Sequence, residues 1–207
     1  MVGGPWSGCK MTEGKYIVPE GKSGQWRVEY FTVSPDEAAF ENMRAAFAFS
    51  ARTIRAGRYM RLMRGNTVVM SDTPAEIADL RDLIWRCQGR VLINGLGLGV
   101  CANLILLREQ VEHLTIIEMA AEVIHLVVPA LQAHEGRFEV IHANALHYRP
   151  PKGVRFDVVW HDIWDNICTD NWEVMSRLHR KYGRLCGWQG SWSRAQVLRR
   201  RQGEKEV

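Results

Sequence analysis

Residues 91–99 read Val91-Leu92-Ile93-Asn94-Gly95-Leu96-Gly97-Leu98-Gly99, and this stretch decides the fold. Its apolar start is typical of a buried strand. Glycine at every second position after that predicts a tight turn where the backbone can approach a ligand closely. About twenty residues later a second apolar run ends in the carboxylate of Glu118. An ionised carboxylate offers only acceptors, so it can bind both hydroxyls of a ribose. Together the two segments predict a nucleoside-binding pocket.

From residue 91 onward, strand-like and helix-like segments alternate. The predicted strands are 91–94, 114–118, 138–142, 156–160 and 183–188, and the predicted helices are 100–110, 122–133, 171–181 and 193–201. The strands are apolar almost throughout, which indicates burial on both faces and therefore a parallel sheet between helices. We expect an α/β fold: a Rossmann-like, doubly wound parallel sheet of about five strands, truncated at its C-terminal edge.

The residues before this sheet predict a small N-terminal extension. Residues 1–25 are rich in Gly, Ser and Lys without periodicity, and we interpret them as a loose tail. Residues 26–88 are expected to form a strand at 26–33, a helix from the capping box Ser34-Pro35-Asp36-Glu37, a β-hairpin around Gly65-Asn66, and a helix from Thr73-Pro74-Ala75-Glu76. Residues 89–207 are expected to form the cofactor-binding domain.

The composition excludes several classes of protein. The chain has 207 residues, 46% hydrophobic and 24% charged, and no apolar run long enough to span a membrane. Its five cysteines never occur in C-x-x-C spacing, which favours free thiols in a cytoplasmic protein and predicts no metal site. The net charge of +4 includes the arginine run 199–201, interpreted as a solvated helix end and not as a nucleic-acid-binding element. The expected partner is a small-molecule substrate, and homo-oligomerisation stays open.

Side chains that can do chemistry recur at the predicted strand ends. Asn144 follows the third strand of the sheet, and Asp162 and Asp165 follow the fourth. Ligands of doubly wound sheets bind beyond the carboxyl ends of the strands. We therefore expect these side chains to surround one pocket with Glu118.

Taken in order, these motifs resemble those of class I S-adenosylmethionine-dependent methyltransferases. The resemblance lies in the glycines of 95–99, in Glu118, in His142-Ala143-Asn144-Ala145 and in the segment 156–162. Within that group the nearest likeness is to the polyamine aminopropyltransferases (spermidine synthases). Those enzymes share the glutamate of the second strand and two acids at the spacing of Asp162 and Asp165. The likeness covers roughly residues 58–188.

The resemblance implies S-adenosyl-L-methionine, or its decarboxylated form, as the cofactor. The implied cofactor contacts are Asn94, Gly95, Gly97, Gly99, Glu118, Met119, Asn144 and Ala145. Asp162 is the implied catalytic residue, which assists deprotonation of the acceptor, and Asp165 is implied to bind the substrate. Trp164 and Gln189, near the strand ends, are expected to stack on the substrate or to donate hydrogen bonds to it. His161 is an alternative base, but strand alternation predicts that it faces away from Asp162.

Departures from the synthase pattern distinguish the competing functions. Leu98 stands where the synthases carry an aspartate, and Asn166-Ile167-Cys168 replaces their proline and glycine. These differences favour methyl transfer to a small molecule, with aminopropyl transfer as the alternative. A non-catalytic binder of the adenosyl cofactor also stays open. So does a dehydrogenase, because Gly97-x-Gly99-x-x-Ala102 fits a dinucleotide motif.

Overall fold

The computed structural model describes residues 16–47 and 52–203 of the chain, which form two sheets. The N-terminal part contains β1 (Gly21–Ser23), β2 (Trp26–Val33), α1 (Pro35–Phe47), β3 (Gly57–Arg64), β4 (Thr67–Ser71), α2 (Pro74–Asp79) and α3 (Arg81–Arg86). The C-terminal part contains β5 (Gly89–Asn94), α4 (Val100–Leu106), β6 (Val111–Glu118), α5 (Ala121–Val127), a 3-10 helix (Val128–His134), β7 (Phe138–His142), β8 (Phe156–His161), α6 (Asn171–Tyr182), β9 (Cys186–Ser191) and α7 (Arg194–Gly203).

The C-terminal sheet confirms the predicted fold class. Its strand order is β7-β6-β5-β8-β9, and every neighbouring pair is parallel. The chain builds the sheet outward from β5 in one direction and then returns to pair β8 with its other edge, as in Rossmann-like sheets. The direction of winding therefore changes between β5 and β8. This switch point lies beside the glycine turn that follows β5.

Alternate side chains of β5 supply two separate cores. Ile93 packs in the cluster that contains Ile105 of α4, whereas Leu92 packs in the cluster that contains Leu178 and Tyr182 of α6. Successive side chains of a strand point to opposite faces, so helices cover both sides of the sheet. The connection from β7 to β8 contains no helix.

The N-terminal sheet is antiparallel, with the order β1-β2-β3-β4. The predicted strand 26–33 and the hairpin are confirmed. So is the capping box, in which Ser34 N donates to Glu37 Oε2 (2.7 Å) and Glu37 N donates to Ser34 Oγ (3.2 Å).

The loose tail predicted for residues 1–25 is wrong for residues 16–25, and residues 1–15 lie outside the described chain. Val18 is 0% exposed, and Tyr30 donates from its hydroxyl to the Val18 carbonyl. Residues 21–23 pair with β2. Tertiary contacts thus order a segment whose local sequence carries no periodic signal.

Three further boundaries differ from the predictions. The last strand is Cys186–Ser191 and not 183–188, because α6 continues to Tyr182 and residues 183–185 form the turn. The single helix predicted from Thr73-Pro74-Ala75-Glu76 is divided into α2 and α3, and the helix predicted at 122–133 becomes α5 and a 3-10 segment. The apolar side chains that share one face of α1, Phe40, Met43 and Phe47, are exposed.

Leu114 lies in the middle of β6 and is 0% exposed, so we expect Leu114→Ala to lower the free energy of unfolding by about 2–5 kcal/mol through lost burial and a residual cavity. Urea denaturation measures this. The matched control is Leu107→Ala, since Leu107 is 41% exposed and should change the free energy by less than about 0.5 kcal/mol. Equal effects of the two substitutions would contradict the placement of β6 in the core.

Candidate functional site

A cavity of about 240 Å³ lies beyond the carboxyl ends of β5, β6 and β8. The N-terminal sheet supplies its other wall through residues such as Leu62, Val69 and Met70. Of the residues predicted from the sequence, the cavity is lined by Gly95, Gly97, Glu118, Met119, Asn144, Ala145, Asp162, Trp164 and Asp165. The parallel register brings residues that are far apart in the sequence to one edge of the sheet.

The glycine turn requires glycine for two different reasons. All three glycines have positive φ, at 101° for Gly95, 53° for Gly97 and 73° for Gly99, a region that side chains disfavour. A Cβ on Gly95 would collide with the Asp162 carbonyl, and one on Gly97 would collide with the Met70 sulfur. Gly99 does not line the cavity. Its neighbours are the Tyr16 hydroxyl and Val127, so its contribution is close packing at the start of α4.

The Glu118 carboxylate is held in a fixed orientation at the end of β6. It is 9% exposed, and its two oxygens accept from Leu96 N (2.9 Å) and Ala120 N (2.8 Å). Each carboxylate oxygen can accept a second hydrogen bond. The free acceptor positions suit the two hydroxyls of a ribose.

Met119 and Asn144 extend this part of the cavity. Met119 is 65% exposed and offers a polarizable apolar surface next to Glu118. The Asn144 side chain accepts from Leu146 N (2.8 Å) through Oδ1, which keeps one acceptor position free. An exposed apolar side chain and an amide at the rim fit a flat heterocycle such as adenine.

Met70 of β4 shares the space beside the glycine turn. Its sulfur accepts from Leu98 N (3.0 Å) and lies against Gly97. The Tyr16 hydroxyl donates to the Leu98 carbonyl (3.0 Å) from the other direction. The residues around Glu118 therefore fit the adenosine part of a cofactor. The rest of the cofactor would lie beside the glycine turn, where the Met70 side chain already packs.

Asp162 is the titratable group best placed for acid–base chemistry. Its pKa is raised from 3.8 to about 7. Burial is the largest cause, and the nearby carboxylates of Glu76 and Asp79 contribute the rest of the rise. The Trp160 indole N–H points toward the Asp162 carboxylate and partly offsets the rise in its pKa. A carboxyl group with this pKa exchanges protons near neutral pH.

Glu76 is a site residue that the sequence reading missed. The sequence predicts Glu76 to be part of a helix start, but the Thr73 side chain makes no capping hydrogen bond. Glu76 instead accepts from Ser71 N (2.8 Å) and Ser71 Oγ (2.7 Å) and lines the cavity. Burial raises its pKa. The serine five residues upstream was the signal that could have indicated this arrangement.

Asp165 forms an ion pair with Arg64 that joins β3 to the loop after β8. The Arg64 guanidinium also lies 5.4 Å from the centre of the Trp26 ring. Arg64, Trp26 and Asp165 all line the cavity, so this pair closes one side of it. The carboxylate of Asp165 is thereby engaged by the protein itself.

Asn94 and Gln189 are not brought to the cavity, and their roles stay predictions without geometric support. Asn94 Nδ2 donates to His161 Nδ1 (2.8 Å), and His161 Nε2 donates to Gln189 Oε1 (3.3 Å). Gln189 lies within β9 because that strand begins later than predicted. Burial lowers the pKa of His161 to about 3, so its imidazole is neutral. The prediction that His161 faces away from Asp162 is confirmed.

Among residues 16–47 and 52–203, the structure contains no helix with the length and hydrophobicity of a membrane span. Within the same residues, no three His, Cys, Asp or Glu side chains are grouped so that they could hold a metal ion.

Neither a protein-family model nor a curated protein matches the chain. Solved structures do resemble it. The 23S rRNA methyltransferase ErmE is 18% identical over 55% of this chain and 43% of its own, with a TM-score of 0.43. The N-methyltransferase NodS from Bradyrhizobium japonicum WM9 is 13% identical over 53% and 59%, with a TM-score of 0.42. The cyclase SpnF is 21% identical over 56% and 45%, with a TM-score of 0.45.

The chain therefore spans about half the length of the solved structures that it matches. Similarity at this level concerns the fold, which the strand order already defines. The function has to be inferred from the geometry of the site.

The raised pKa of Asp162 predicts how the stability changes with pH. A pKa of about 7 in the folded chain, above the ordinary 3.8, means that folding favours the protonated form. This contribution is fully present below pH 4 and is lost as the pH rises through 7. The unsubstituted protein should lose stability as Asp162 ionises, whereas the Asp162→Asn variant has no carboxyl group to ionise at this position. The difference in melting temperature, variant minus unsubstituted protein, should therefore increase between pH 5 and pH 8.

Thermal melts over that pH range test this expectation. The control is Asp170→Asn, which alters an exposed carboxylate and should shift the melting temperature by a constant amount. A constant offset for Asp162→Asn as well would show that Asp162 titrates at its ordinary pKa.

Proposed function

We propose that this protein is an S-adenosylmethionine-dependent methyltransferase that acts on a small molecule. The observation that carries the proposal is the fixed Glu118 carboxylate beside a glycine turn, at the switch point of a Rossmann-like sheet. Its free acceptor positions match a ribose diol. Met119 and Asn144 would hold the adenine, and the turn at Gly95 and Gly97 would contact the rest of the cofactor.

The cofactor, when bound, supplies a methyl group that its sulfonium charge has already activated. The protein then has to align a nucleophile and exclude water. Trp160, Trp164 and Trp192 line the cavity and provide apolar walls for this purpose.

The acidic end of the cavity favours an acceptor that carries an amine. Glu76 and Asp162 both line the cavity, and the Glu76 carboxylate contributes to the raised pKa of Asp162, so a cation between these two groups would relieve their repulsion. An amine that enters as an ammonium ion must lose a proton before it can attack. Asp162 is placed to accept that proton. Methyl transfer is favoured over aminopropyl transfer because Asp165 is engaged by Arg64.

Cofactor binding is tested by thermal shift with S-adenosylhomocysteine. A ligand at about 100 times its Kd stabilises by about 2.7 kcal/mol, which corresponds to about 5–10 °C for a chain of this size. Glu118→Ala should abolish the shift. Glu112→Ala removes an exposed carboxylate at the opposite end of β6 and should preserve it. A shift that survives in Glu118→Ala would refute the assignment of the ribose site.

The catalytic role of Asp162 is tested by incubation with S-adenosylmethionine and a panel of amines, followed by mass spectrometry. Asp162→Asn should lower the rate by about 100-fold or more. The rate of the unsubstituted protein should rise with pH through about 7, as Asp162 ionises. Glu76→Gln should chiefly raise KM for the amine. Unchanged turnover in Asp162→Asn would exclude Asp162 as the base.

Parallel incubation with the decarboxylated cofactor and putrescine separates methyl from aminopropyl transfer by product mass. Aminopropyl product without methylated product would favour the alternative function.

A further inference from the structure

Two segments after β7 form a strongly basic surface. Residues 149–155 and 177–185 contain no Asp or Glu and carry seven cations, Arg149, Lys152, Arg155, Arg177, Arg180, Lys181 and Arg184. That is seven cations in 16 residues, against 27 Lys and Arg in the 207 residues of the whole chain. Such a density attracts anions and repels cations.

Hydrogen bonds hold the two segments side by side. Arg155 Nη1 donates to the Arg184 carbonyl (2.7 Å), and Phe156 N donates to the Leu185 carbonyl (2.8 Å). The Lys181 ammonium donates to the carbonyls of Ala145 (2.8 Å) and Leu146 (3.4 Å). These bonds hold residues 145–156 against the C-terminal end of α6 and the turn after it, so the basic side chains of the two segments lie on neighbouring parts of the surface.

A shallow recess lies within this surface, lined by Leu146, Arg149, Pro150, Lys181 and Leu185. Burial, and then the neighbouring Arg149 guanidinium, lower the pKa of Lys181. In the described part of the chain, neither cation forms an ion pair with a carboxylate. Two adjacent cations without an internal counterion favour an external anion.

The arginine run of the C-terminal helix is not part of this surface. Arg201 lies 5.3 Å from the centre of the Trp172 ring, and Arg200 donates to the Ile167 carbonyl. Two of the three arginines at 199–201 therefore contact their own chain.

The character of the surface favours a polyanion over a membrane. Within the described chain, the exposed large apolar side chains are Ile17, Phe40, Met43, Phe47, Val68, Ile77, Trp85, Leu107 and Met119. None of these belongs to the two basic segments, so no apolar anchor for a bilayer accompanies the charge. A line of cations without apolar residues suits a phosphate backbone.

We propose that this basic surface binds the phosphate backbone of a nucleic acid, with one phosphate in the recess between Arg149 and Lys181. The surface lies on the α6 side of the sheet, whereas the cavity lies beyond the strand ends. The binding is independent of the methyltransferase proposal and is measured without cofactor.

The test is fluorescence anisotropy of the full chain with a labelled single-stranded RNA of about 16 nucleotides. The titration is run at several salt concentrations between 50 and 200 mM. Arg149→Gln with Arg184→Gln removes two exposed cations and leaves Lys181 in place. This double variant should bind about 10-fold more weakly or worse, and the slope of log K against log salt should shrink by about 1.4 for two lost contacts.

The matched control is Arg55→Gln with Arg90→Gln, which removes the same charge from two exposed arginines outside the surface and should bind nearly as tightly as the unsubstituted protein. Circular dichroism melts verify that both double variants fold. If the control variant bound RNA as weakly as the test variant, the loss of affinity would follow from net charge alone, and the proposal would be overturned. Absence of saturable RNA binding at 50 mM salt would do the same, and so would binding to phosphatidylserine vesicles without binding to RNA.

Discussion

The two hydrogen bonds that fix the Glu118 carboxylate are the constraint on which the site depends. One comes from Leu96 in the glycine turn and the other from Ala120 just before α5. A carboxylate that is largely buried is costly unless such donors satisfy it. The bond from Leu96 therefore holds the end of β6 to the turn after β5, and the bond from Ala120 fixes the carboxylate relative to the start of α5. They also orient the acceptor atoms that the proposed ribose contact needs.

The N-terminal sheet makes this edge of the Rossmann-like sheet into an enclosed cavity. Met70 lies against the glycine turn, Glu76 is held by Ser71, and Arg64 pairs with Asp165 across the opening. These contacts bring the Glu76 carboxylate near Asp162 and partly shield Asp162 from water. The raised pKa of Asp162 follows from that enclosure, so the N-terminal sheet contributes directly to the proposed acid–base chemistry.

The parts of the structure that the sequence predicted correctly are those that local patterns specify. The strand before Gly95, the capping box at Ser34 and the strand Phe138–His142 all follow from short-range periodicity or turn chemistry. The predictions that were wrong concern residues whose conformation depends on contacts with residues distant in the sequence. Tertiary contacts order residues 16–25, and Glu76 turns to Ser71 instead of capping α2. The late start of β9 places Gln189 inside the sheet, where it meets His161 and not the cavity.

The most direct test of the account is a crystal structure of the protein with S-adenosylhomocysteine bound. The account predicts both ribose hydroxyls within hydrogen-bonding distance of the Glu118 oxygens, the adenine against Met119, and the Met70 side chain displaced from Gly97. An adenosyl group bound elsewhere, or a ribose that makes no contact with Glu118, would contradict it.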